Sequence, residues 1–409
     1  MRREQMEPPV LVHLTTVPGT LFFVAGQPAI MRQIGLSVHA ISSPGADLDR
    51  FGEQEQVPVH PITMTRRISP LRDIGAVWRV WQAIERIRPV IVHGHTPKGG
   101  LLGMVAACLA GTPLRIYHMH GLPFATASGV RRQLLRLSER TSCALAHRVL
   151  AVSASVRDIA VAEGLCPPDK IRVLLSGSAG GVDVSRFRPL GVSVRLATRA
   201  DHRIPPDALV IGFVGRFVRD KGIAELADAW GWLREREPRL RLLLVGSFED
   251  EHPLPARLVA RLRADPRVHF VGWQEDPSRF YAAMDVVALP TYREGLPYVP
   301  LEAAAMAIPV VATRVPGCVD AVQDGITGTL VAPGDGVALA EALYRYLSDP
   351  GLRASHGEAG RRRVLARFRR EMVCDALADE YRELLAKRGT RLPSPGEARA
   401  DRWVGDGVA

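Results

Sequence analysis

YREGLPYVPLEAAAMAIPVVAT, residues 292–313, has the pattern of a loop, a short helix and a buried strand in succession. The loop carries Glu294, the helix opens near Val299, and Glu302 follows on its second turn. Pro309–Thr313 is the short β-branched run expected of a buried strand. Because alternating helices and buried strands build parallel sheets, this stretch predicts an α/β fold.

Short apolar runs separated by helical patterns extend this prediction over two α/β series. The first series has strand candidates Val10–Thr15, Leu36–Ser42, Pro89–His93, Leu114–His118, Arg148–Val152 and Ile171–Leu175, with helices at Leu71–Ile87 and Leu101–Leu109. The second has strand candidates Leu209–Gly215, Leu242–Gly246, Val268–Gly272, Val286–Leu289 and Pro309–Thr313, then helices at Ala338–Leu347, Arg353–Phe368 and Glu371–Leu385. The polar, proline-bearing stretch 188–207 between them is interpreted as a linker.

The length of 409 residues also favours two domains, because single cores stop growing at roughly 250 to 300 residues. We predict an N-terminal domain over 1–190 and a C-terminal domain over 191–370. A helix over 371–388 is expected to pack back on the N-terminal domain. The segment 389–409 is rich in Pro, Gly and Arg, which predicts a disordered tail.

Positive charge is concentrated in the first half of the chain. Residues 1–190 hold 22 Lys and Arg against 13 Asp and Glu, whereas the remainder holds 31 against 30. Such asymmetry indicates a surface for an anionic partner: phospholipid, polyprenyl phosphate or nucleic acid. The sequence lacks an apolar run of about 18 residues and a secretion signal, so we expect a cytoplasmic protein.

The helix that opens near Val299 suits a diphosphate, because helix N-termini present N–H groups and a partial positive charge. Pro297 cannot donate, which leaves Tyr298 and Val299 as donors. Carboxylates accept hydrogen bonds from hydroxyl pairs, so Glu294 is a candidate for sugar hydroxyls and Glu302 for ribose hydroxyls. Two merely solvated glutamates are the alternative, and the small apolar residues around them favour a binding site.

The segment FVGRFVRDKGIAEL, residues 213–226, predicts a strand that ends before Arg216 and a helix that begins after Gly222. Arg216 and Lys221 then lie at the carboxyl end of a strand, where open α/β sheets bind ligands. Only four of the 53 basic residues are lysines, which singles out Lys221. Two cations there can neutralise a diphosphate without a metal. The alternatives are an ion pair of Arg216 with an acid such as Asp220 and a solvated lysine.

These segments resemble the donor-binding half of retaining glycosyltransferase family 4, which has the GT-B fold and includes bacterial polysaccharide and lipid-linked oligosaccharide glycosyltransferases. The resemblance covers about residues 10–385. It continues in VPGCVDAVQDGITGTLVAPGD (315–335), HGHTPKGGLLG (93–103), HMHG (118–121), LAVSASVRD (150–158) and GGVDVSRFRP (180–189). It implies two Rossmann-like domains with parallel sheets facing a cleft, the first binding the acceptor and the second the nucleotide sugar.

Matched residue by residue, the resemblance assigns Arg216 and Lys221 to the donor diphosphate. It assigns Glu294 to the transferred sugar and Glu302 to the ribose, and it places His120 beside the donor sugar. The implied catalytic residues are His120, Arg216, Lys221 and Glu294. The implied donor-binding residues are Gly19, Arg216, Lys221, Glu294, Leu296, Tyr298, Val299 and Glu302.

Other histidines of the first domain leave alternatives open. His118 lies two residues before His120, on the same face of an extended strand, so it is a rival for the same role. His93 and His95 form a polar cluster with Lys98 that is a candidate acceptor site, with hydrogen bonding inside the loop as the alternative.

The first loop departs from the family pattern. Family members usually have a glycine pair after the first strand, whereas TTVPGTLFF (15–23) contains only Gly19. Loops of this form resemble those of enzymes that extend polyprenyl-diphosphate-linked sugars. The carboxylates of Asp47 and Asp49 are expected to lie in a polar turn and to hold no metal.

The implied activity is transfer of a sugar, with retention of anomeric configuration, from a UDP- or GDP-linked donor to a hydroxyl of a polyprenyl-diphosphate-linked glycan in surface polysaccharide synthesis. No metal and no cofactor beyond the nucleotide-sugar substrate is expected, and nucleic acid is not expected as a partner. Alternatives are glycosylation of a soluble natural product, a GT-B nucleotide-sugar epimerase and a non-catalytic sugar-nucleotide binding protein. The sequence has no dinucleotide glycine fingerprint and no GK[ST] motif, which disfavours a dehydrogenase or a kinase.

Residues 130–148, VRRQLLRLSERTSCALAHR, predict an amphipathic helix. Arg132, Arg136 and Arg140 recur every four residues beside Leu134, Leu135 and Leu137. Such a helix can lie on an anionic membrane, which would make the protein peripheral on the inner face of the cell membrane. Leucines packed on the sheet and merely solvated arginines are the alternative.

Overall fold

The computed structural model describes residues 8–65, 69–249, 253–390 and 392. Its contacts divide the chain into two units, one of Met1–Gly181 with Arg370–Ala409 and the other of Val182–Arg369. The predicted boundary after residue 190 therefore falls inside the second unit. Most of the segment 389–409, for which a disordered tail was predicted, lies outside the described residues.

A seven-stranded parallel sheet forms the centre of the first unit. Its strands are β1 Val10–Leu14, β2 Ser37–Ser42, β3 Val59–Pro61, β4 Ile91–His95, β5 Leu114–Met119, β6 Arg148–Ala151 and β7 Ile171–Arg172. The intervening helices are α1 Gln27–Gln33, α2 Ala46–Glu55, α3 Pro70–Ile87, α4 Pro97–Leu109, α5 Gly129–Leu145 and α6 Ala154–Ala162, with 3-10 turns at Pro18–Val24 and Pro123–Thr126. The strand order is β3-β2-β1-β4-β5-β6-β7.

Both faces of this sheet are buried, which explains why its strands are nearly continuous apolar runs. Successive side chains of a strand point to opposite faces. Val12 and Leu14 of β1 accordingly belong to one apolar cluster, which includes Val80 of α3, and Leu11 belongs to a second cluster on the opposite face.

The second unit has a six-stranded parallel sheet. Its elements are α7 Gly191–Asp201, β8 Leu209–Val214, α8 Ile223–Arg234, β9 Leu240–Val245, α9 Ala256–Arg263, β10 Val268–Gly272, α10 Ser278–Ala283, β11 Val286–Leu289, α11 Tyr298–Ala305, β12 Val310–Thr313, α12 Cys318–Ala321, β13 Gly328–Val331, α13 Gly336–Ser348 and α14 Pro350–Arg367. The strand order is β10-β9-β8-β11-β12-β13.

The chain then returns to the first unit as α15, Arg370–Ala386. Leu377, Tyr381 and Leu385 of α15 are buried in the same apolar cluster as Leu11. Burial of one such side chain contributes about 1.5 to 3 kcal/mol. α15 therefore covers one face of the first sheet.

The prediction of a linker over 188–207 is wrong, because helix α7 occupies most of this segment. Arg199 of α7 is 1% exposed. Its guanidinium donates to Asp285 at 3.0 Å and to the carbonyls of Ala283, Pro206 and Ala208. The arginine that makes this stretch look polar is thus a buried, fully engaged side chain, and α7 packs on the second unit.

Smaller corrections concern element bounds. β3 and β13 were not predicted: β3 has only three residues and includes His60 and Pro61, and β13 opens with Gly328 and Thr329 instead of an apolar run. The strand expected at Pro89–His93 is shifted by two residues and ends at His95. Asp47 and Asp49 lie in the first turn of α2, not in a polar turn after a strand.

Within the described ranges, no helix combines the length and apolar character needed to cross a bilayer.

Candidate active site

The strand order of the second sheet reverses between β8 and β11, and we call this position the switch point of the sheet. From β8 the chain proceeds outward to β9 and β10, and it then crosses to the opposite side at β11. Loops that leave two neighbouring strands in opposite directions open a crevice at their carboxyl ends, where α/β proteins bind ligands. The loops after β8 and β11 are those that carry the predicted donor-binding residues.

These two loops bring Lys221 and Glu294 together. The Nζ atom of Lys221 lies 2.5 Å from Oε1 of Glu294, and their side chains are only 19% and 11% exposed. The loops are also joined by backbone contacts, because the carbonyl of Asp220 accepts from the N–H of Tyr292 at 2.9 Å and from the hydroxyl of Thr291 at 3.0 Å. A cation and a carboxylate are thus held side by side at the switch point.

Gly222 makes this approach possible. Its φ is +69°, and a Cβ atom there would lie 1.9 Å from the carbonyl oxygen of Pro290. Only glycine combines that backbone conformation with the space available. The residue after Lys221 is therefore fixed by the contact between the two loops.

Arg216 begins the same loop, but it is paired elsewhere. Its guanidinium donates to Glu249 at 2.6 Å and its side chain is 47% exposed. The alternative pairing with Asp220 is not observed, since Asp220 pairs with Arg293 at 2.9 Å. A half-exposed arginine can turn toward an anionic ligand at small cost, because exposed ion pairs contribute little.

α11 begins directly after the loop that carries Glu294. Leu296 is buried, Pro297 is the N-cap, and Tyr298 and Val299 form the first turn. First-turn N–H groups have no partner within their own helix. The first turn of α11 thus directly follows the loop that carries Glu294, and anion binding there stays a prediction.

Glu302 lies on the second turn of α11 and is part-buried. Its Oε2 accepts a hydrogen bond from the hydroxyl of Tyr281 at 2.8 Å. Burial raises the pKa of Glu302 to about 7, and the hydrogen bond from Tyr281 acts in the opposite direction. Glu302 is thus a carboxyl group that titrates near neutral pH.

The first sheet has an equivalent reversal between β1 and β4, and histidines occupy it. His13 of β1 is opposite His93 of β4, and His95 of β4 is opposite His118 of β5. His120 directly follows β5. Five imidazoles are therefore collected at the carboxyl ends of three neighbouring strands.

All five rings are held neutral by their surroundings. Burial, and then the charge of His118, lower the pKa of His13 to about 3, and burial lowers that of His118 to about 3. Burial and neighbouring imidazoles also hold the pKa values of His93, His95 and His120 well below the usual range. The first switch point therefore carries no charge on these rings at neutral pH.

Exposure distinguishes the two candidates on β5. His118 is 2% exposed, whereas His120 is part-exposed. His120 also stacks near Phe23, at 4.6 Å between ring centroids. Of these two rivals, His120 is the one accessible to a ligand.

The remaining first-unit predictions fall in different places. His93 and His95 are buried, and Lys98 is engaged instead with Asp73 at 2.7 Å. Lys98 also donates to the hydroxyl of Thr65 at 3.0 Å, and the acceptor site predicted around Lys98 and the two histidines stays a prediction. Gly19 lies in the 3-10 turn after β1, where a Cβ atom would be 3.2 Å from the carboxylate of Asp47.

Two features of this region were missed. His13 was not singled out, because its alignment with His93 depends on a strand register that the sequence does not display. The second glycine of the first loop is Gly26, three residues beyond the segment 15–23. It has a φ of +79° at the start of α1, and its N–H donates to Glu55 at 2.8 Å.

The chain matches two family models that together cover most of both units. Residues 7–177 match the model of the "Glycosyl transferase 4-like domain" and residues 208–349 that of "Glycosyl transferases group 1". This defines the class as glycosyltransferase.

Relatives that match most of the chain identify the family more specifically. The capsular polysaccharide biosynthesis glycosyltransferase CapM of Staphylococcus aureus is 32% identical over 375 residues, which are 92% of this chain and 97% of CapM. The UDP-Gal:alpha-D-GlcNAc-diphosphoundecaprenol alpha-1,3-galactosyltransferase of Escherichia coli is 25% identical over 80% of this chain and 84% of its own. The chain therefore belongs to the group 1 glycosyltransferases with a family 4-like first domain, as the resemblance predicted.

Solved structures confirm the predicted GT-B fold. Anabaena Alr3699/HepE, in its complex with UDP-glucose, superposes with a TM-score of 0.76 at 21% identity, over 91% of this chain and 99% of that protein. At this identity the likeness concerns the fold alone.

Proposed function

We propose that this glycosyltransferase moves a sugar from a nucleoside diphosphate sugar to a hydroxyl of a polyprenyl-diphosphate-linked glycan, with retention of configuration and without a metal. The observation that carries the proposal is the pair of Lys221 and Glu294 at the switch point of the second sheet. A cation for the departing diphosphate and a carboxylate for sugar hydroxyls lie next to each other there.

The chemistry places the largest demand on the leaving group. Cleavage at the anomeric carbon develops positive charge on the sugar and negative charge on the diphosphate. Lys221 is the fixed cation of the loop, and Arg216 is the second, since its half-exposed side chain can exchange Glu249 for phosphate oxygens. The N–H groups of Tyr298 and Val299 add neutral donors at the start of α11.

Recognition of the rest of the donor falls to the carboxylates. Glu294 accepts from hydroxyls of the transferred sugar, and Lys221 orients its carboxylate. Glu302 accepts from the ribose hydroxyls in its ionised form. His120 offers a ring nitrogen to a sugar oxygen. In this proposal Lys221 and Arg216 bind the diphosphate, Glu294 the transferred sugar and Glu302 the ribose.

The named relatives and neighbours support the substrate classes. The solved neighbour with the same fold is a complex with UDP-glucose, which supports a UDP-linked donor. The Escherichia coli relative is named for a UDP-Gal donor and a diphosphoundecaprenol acceptor, and the Staphylococcus aureus relative for capsular polysaccharide. We therefore place the acceptor among lipid-linked glycans of a bacterial surface polysaccharide.

A membrane surface for such an acceptor is proposed on the first unit, at a position different from the predicted arginine stripe. Arg132 and Arg136 of α5 both pair with Glu163, at 3.0 and 3.1 Å, and are half-buried. They are therefore not free for lipid headgroups. The exposed apolar residues of α5 are Val130, Leu134 and Leu137.

Helix α3, on the other side of α4 from α5, adds a stripe that was not predicted. Leu71, Ile74 and Trp78 recur at helical spacing and are 85%, 69% and 57% exposed. α3, α4 and α5 pack side by side. Exposed arginines, Arg72 and Arg79, accompany this stripe. Apolar residues beside arginines suit an anionic bilayer at the inner face of the cell membrane.

One experiment tests the activity. The full chain is incubated with UDP-, GDP- and dTDP-sugars, with and without a short-chain polyprenyl-diphosphate-linked acceptor, and products are followed by NMR. We expect acceptor-dependent transfer with an unchanged anomeric configuration. An inverted product would contradict retention, and a soluble acceptor used in preference would contradict the lipid-linked assignment. Isomerisation of the donor alone would indicate an epimerase, and binding without turnover a non-catalytic protein.

A further inference from the structure

The histidines of the first switch point are joined in a hydrogen-bonded row. Nδ1 of His13 lies 2.9 Å from Nε2 of His95, and Nδ1 of His95 lies 3.0 Å from Nε2 of His120. The row leads from the buried interior of the sheet to the part-exposed ring of His120. Its members are contributed by β1, by β4 and by the residue after β5.

Such a row has a direction. A neutral imidazole has one N–H and one acceptor nitrogen, so His95 can donate to only one of its two neighbours. Burial and the surrounding imidazoles hold the pKa of His95 well below its usual range, which keeps it neutral. The two consistent states therefore have the N–H on Nδ1 of all three rings or on Nε2 of all three.

The inner end of the row determines which state is stable. Among the described residues, Nε2 of His13 is a buried nitrogen without a hydrogen-bond partner. A proton on that nitrogen would leave a buried N–H unsatisfied, which costs more than an unused acceptor lone pair. The proton of His13 is therefore on Nδ1, and the same follows for His95 and His120.

We propose that His13 and His95 are positioning residues that hold His120 as its Nδ1–H tautomer, so that its accessible nitrogen is a hydrogen-bond donor to a sugar or phosphate oxygen. The identity of that oxygen rests on the proposed function, whereas the tautomer does not. His120 accepts inside the protein through Nε2 and donates outward through Nδ1. Of the five rings, it is the part-exposed one, and no other ring of the row can take this role.

The geometry favours protons over a metal ion in this cluster. Two groups of three imidazoles, His13 with His93 and His95 and His95 with His118 and His120, have ring nitrogens within 4.8 Å of one another. However, His95 belongs to both groups, and its two ring nitrogens are already engaged in the hydrogen bonds to His13 and His120. A ring nitrogen that shares a proton with a second imidazole does not offer its lone pair to an ion.

The tautomers are read directly from ¹⁵N-histidine-labelled full-length protein without ligand, by correlation of ring nitrogens with ring protons. The spectrum of His120→Gln identifies the His120 signals. We expect a protonated Nδ1 and an unprotonated Nε2 on His13, His95 and His120. A protonated Nε2 on His120 would overturn the proposal, and so would about one equivalent of zinc, nickel or copper per chain by mass spectrometry.

His95→Asp supplies a second, functional readout. A carboxylate can only accept, so Nε2 of His120 should gain a proton and the pKa of His120 should rise. Below that pKa the imidazolium still donates through Nδ1, and above it the neutral ring has lost that donor. The kcat of His95→Asp should therefore fall as pH rises, by up to tenfold per pH unit above the new pKa.

The matched control is His95→Asn, which has the size of aspartate but no charge and should not acquire this pH dependence. An unchanged pH profile for His95→Asp, with the variant folded, would contradict the proposal. If the chain transfers no sugar under any condition, the proposed function fails, whereas the ring-nitrogen spectra of the wild-type protein still decide the tautomer.

Discussion

The two switch points have the same topology, but one is lined by neutral side chains and the other by charged ones. In both sheets the strand order reverses beside the first strand of the unit, between β1 and β4 and between β8 and β11. The first is lined by buried neutral imidazoles that bond to one another. The second holds the ion pair of Lys221 and Glu294.

The difference teaches which half of the molecule can stabilise an anion. A neutral N–H orients an oxygen but compensates little charge, whereas a fixed cation in a partly desolvated site stabilises a developing negative charge strongly. We therefore assign leaving-group stabilisation to the second switch point and hydrogen bonding without charge compensation to the first. The predictions below test that division.

Removal of the cation should have the largest effect. Lys221→Ala should lower kcat on the order of 10²-fold or more, because one preorganised charge-stabilising donor is lost. Steady-state transfer kinetics measure it. The matched control is Lys387→Ala, since Lys387 also pairs with a glutamate, Glu383 at 2.6 Å, but lies exposed directly after α15. A decrease below about threefold in folded Lys221→Ala would remove the cation from the reaction.

The two carboxylates of the second switch point should separate into different roles. Glu294→Gln should lower kcat by about 10- to 100-fold while UDP affinity is kept, because its partner is the transferred sugar. Glu302→Gln should weaken UDP binding by at least about tenfold, because its partner is the ribose. Calorimetry with UDP alone distinguishes them, and equal losses of affinity in both variants would show that the division is wrong.

Substitutions on the exposed surface of α3 test whether the first unit binds a lipid membrane. Ile74→Ser combined with Trp78→Ser should reduce partitioning onto vesicles containing anionic phosphatidylglycerol by about tenfold, since two exposed apolar side chains are removed. Flotation at low and high salt measures it. Ile326→Ser is the control, because Ile326 is 55% exposed on the second unit. A wild-type chain that stays unbound on anionic vesicles at low salt would rule out this surface.

Donor binding should depend on pH through Glu302. Burial raises its pKa to about 7, and the neighbouring charges are Arg186, which lowers it, and Asp276, which raises it. The ionised form binds ribose, so affinity should increase with pH and level off above 8. Calorimetry with UDP-glucose, whose diphosphate does not titrate in this range, should give a gain of about tenfold between pH 6 and 8. The same gain in Glu302→Gln would assign it to another group.

The smallest expected effect is that of chelation. Transfer should be unchanged by EDTA, because the charges of Lys221 and Arg216 take the place of a metal at the diphosphate. Activity is compared before and after dialysis against EDTA, with and without added Mg²⁺ or Mn²⁺. Loss on chelation and recovery with either ion would assign the charge compensation to a metal.

The sequence was sufficient for the fold class and for most strands, because buried parallel strands are uninterrupted apolar runs. It failed for α7, where a buried arginine, Arg199, imitates a polar linker. Lys221 and Glu294 were both predicted as site residues, but their direct contact was not predicted. They are 73 residues apart in the sequence, and their loops meet only because β8 and β11 are neighbours in the sheet. His13 was not predicted for the same reason, because its pairing with His93 depends on the register of β1 and β4.

The return of the chain as α15 has a consequence for biogenesis. A ribosome releases the first strands of the first unit long before Arg370–Ala386 is made, and the whole of Val182–Arg369 is synthesised in between. Until then, the sheet face that Leu377, Tyr381 and Leu385 cover lacks that cover. The second unit can therefore complete its core on the nascent chain before the last helix of the first unit is synthesised. An apolar sheet face exposed during that time is the kind of surface that chaperones bind.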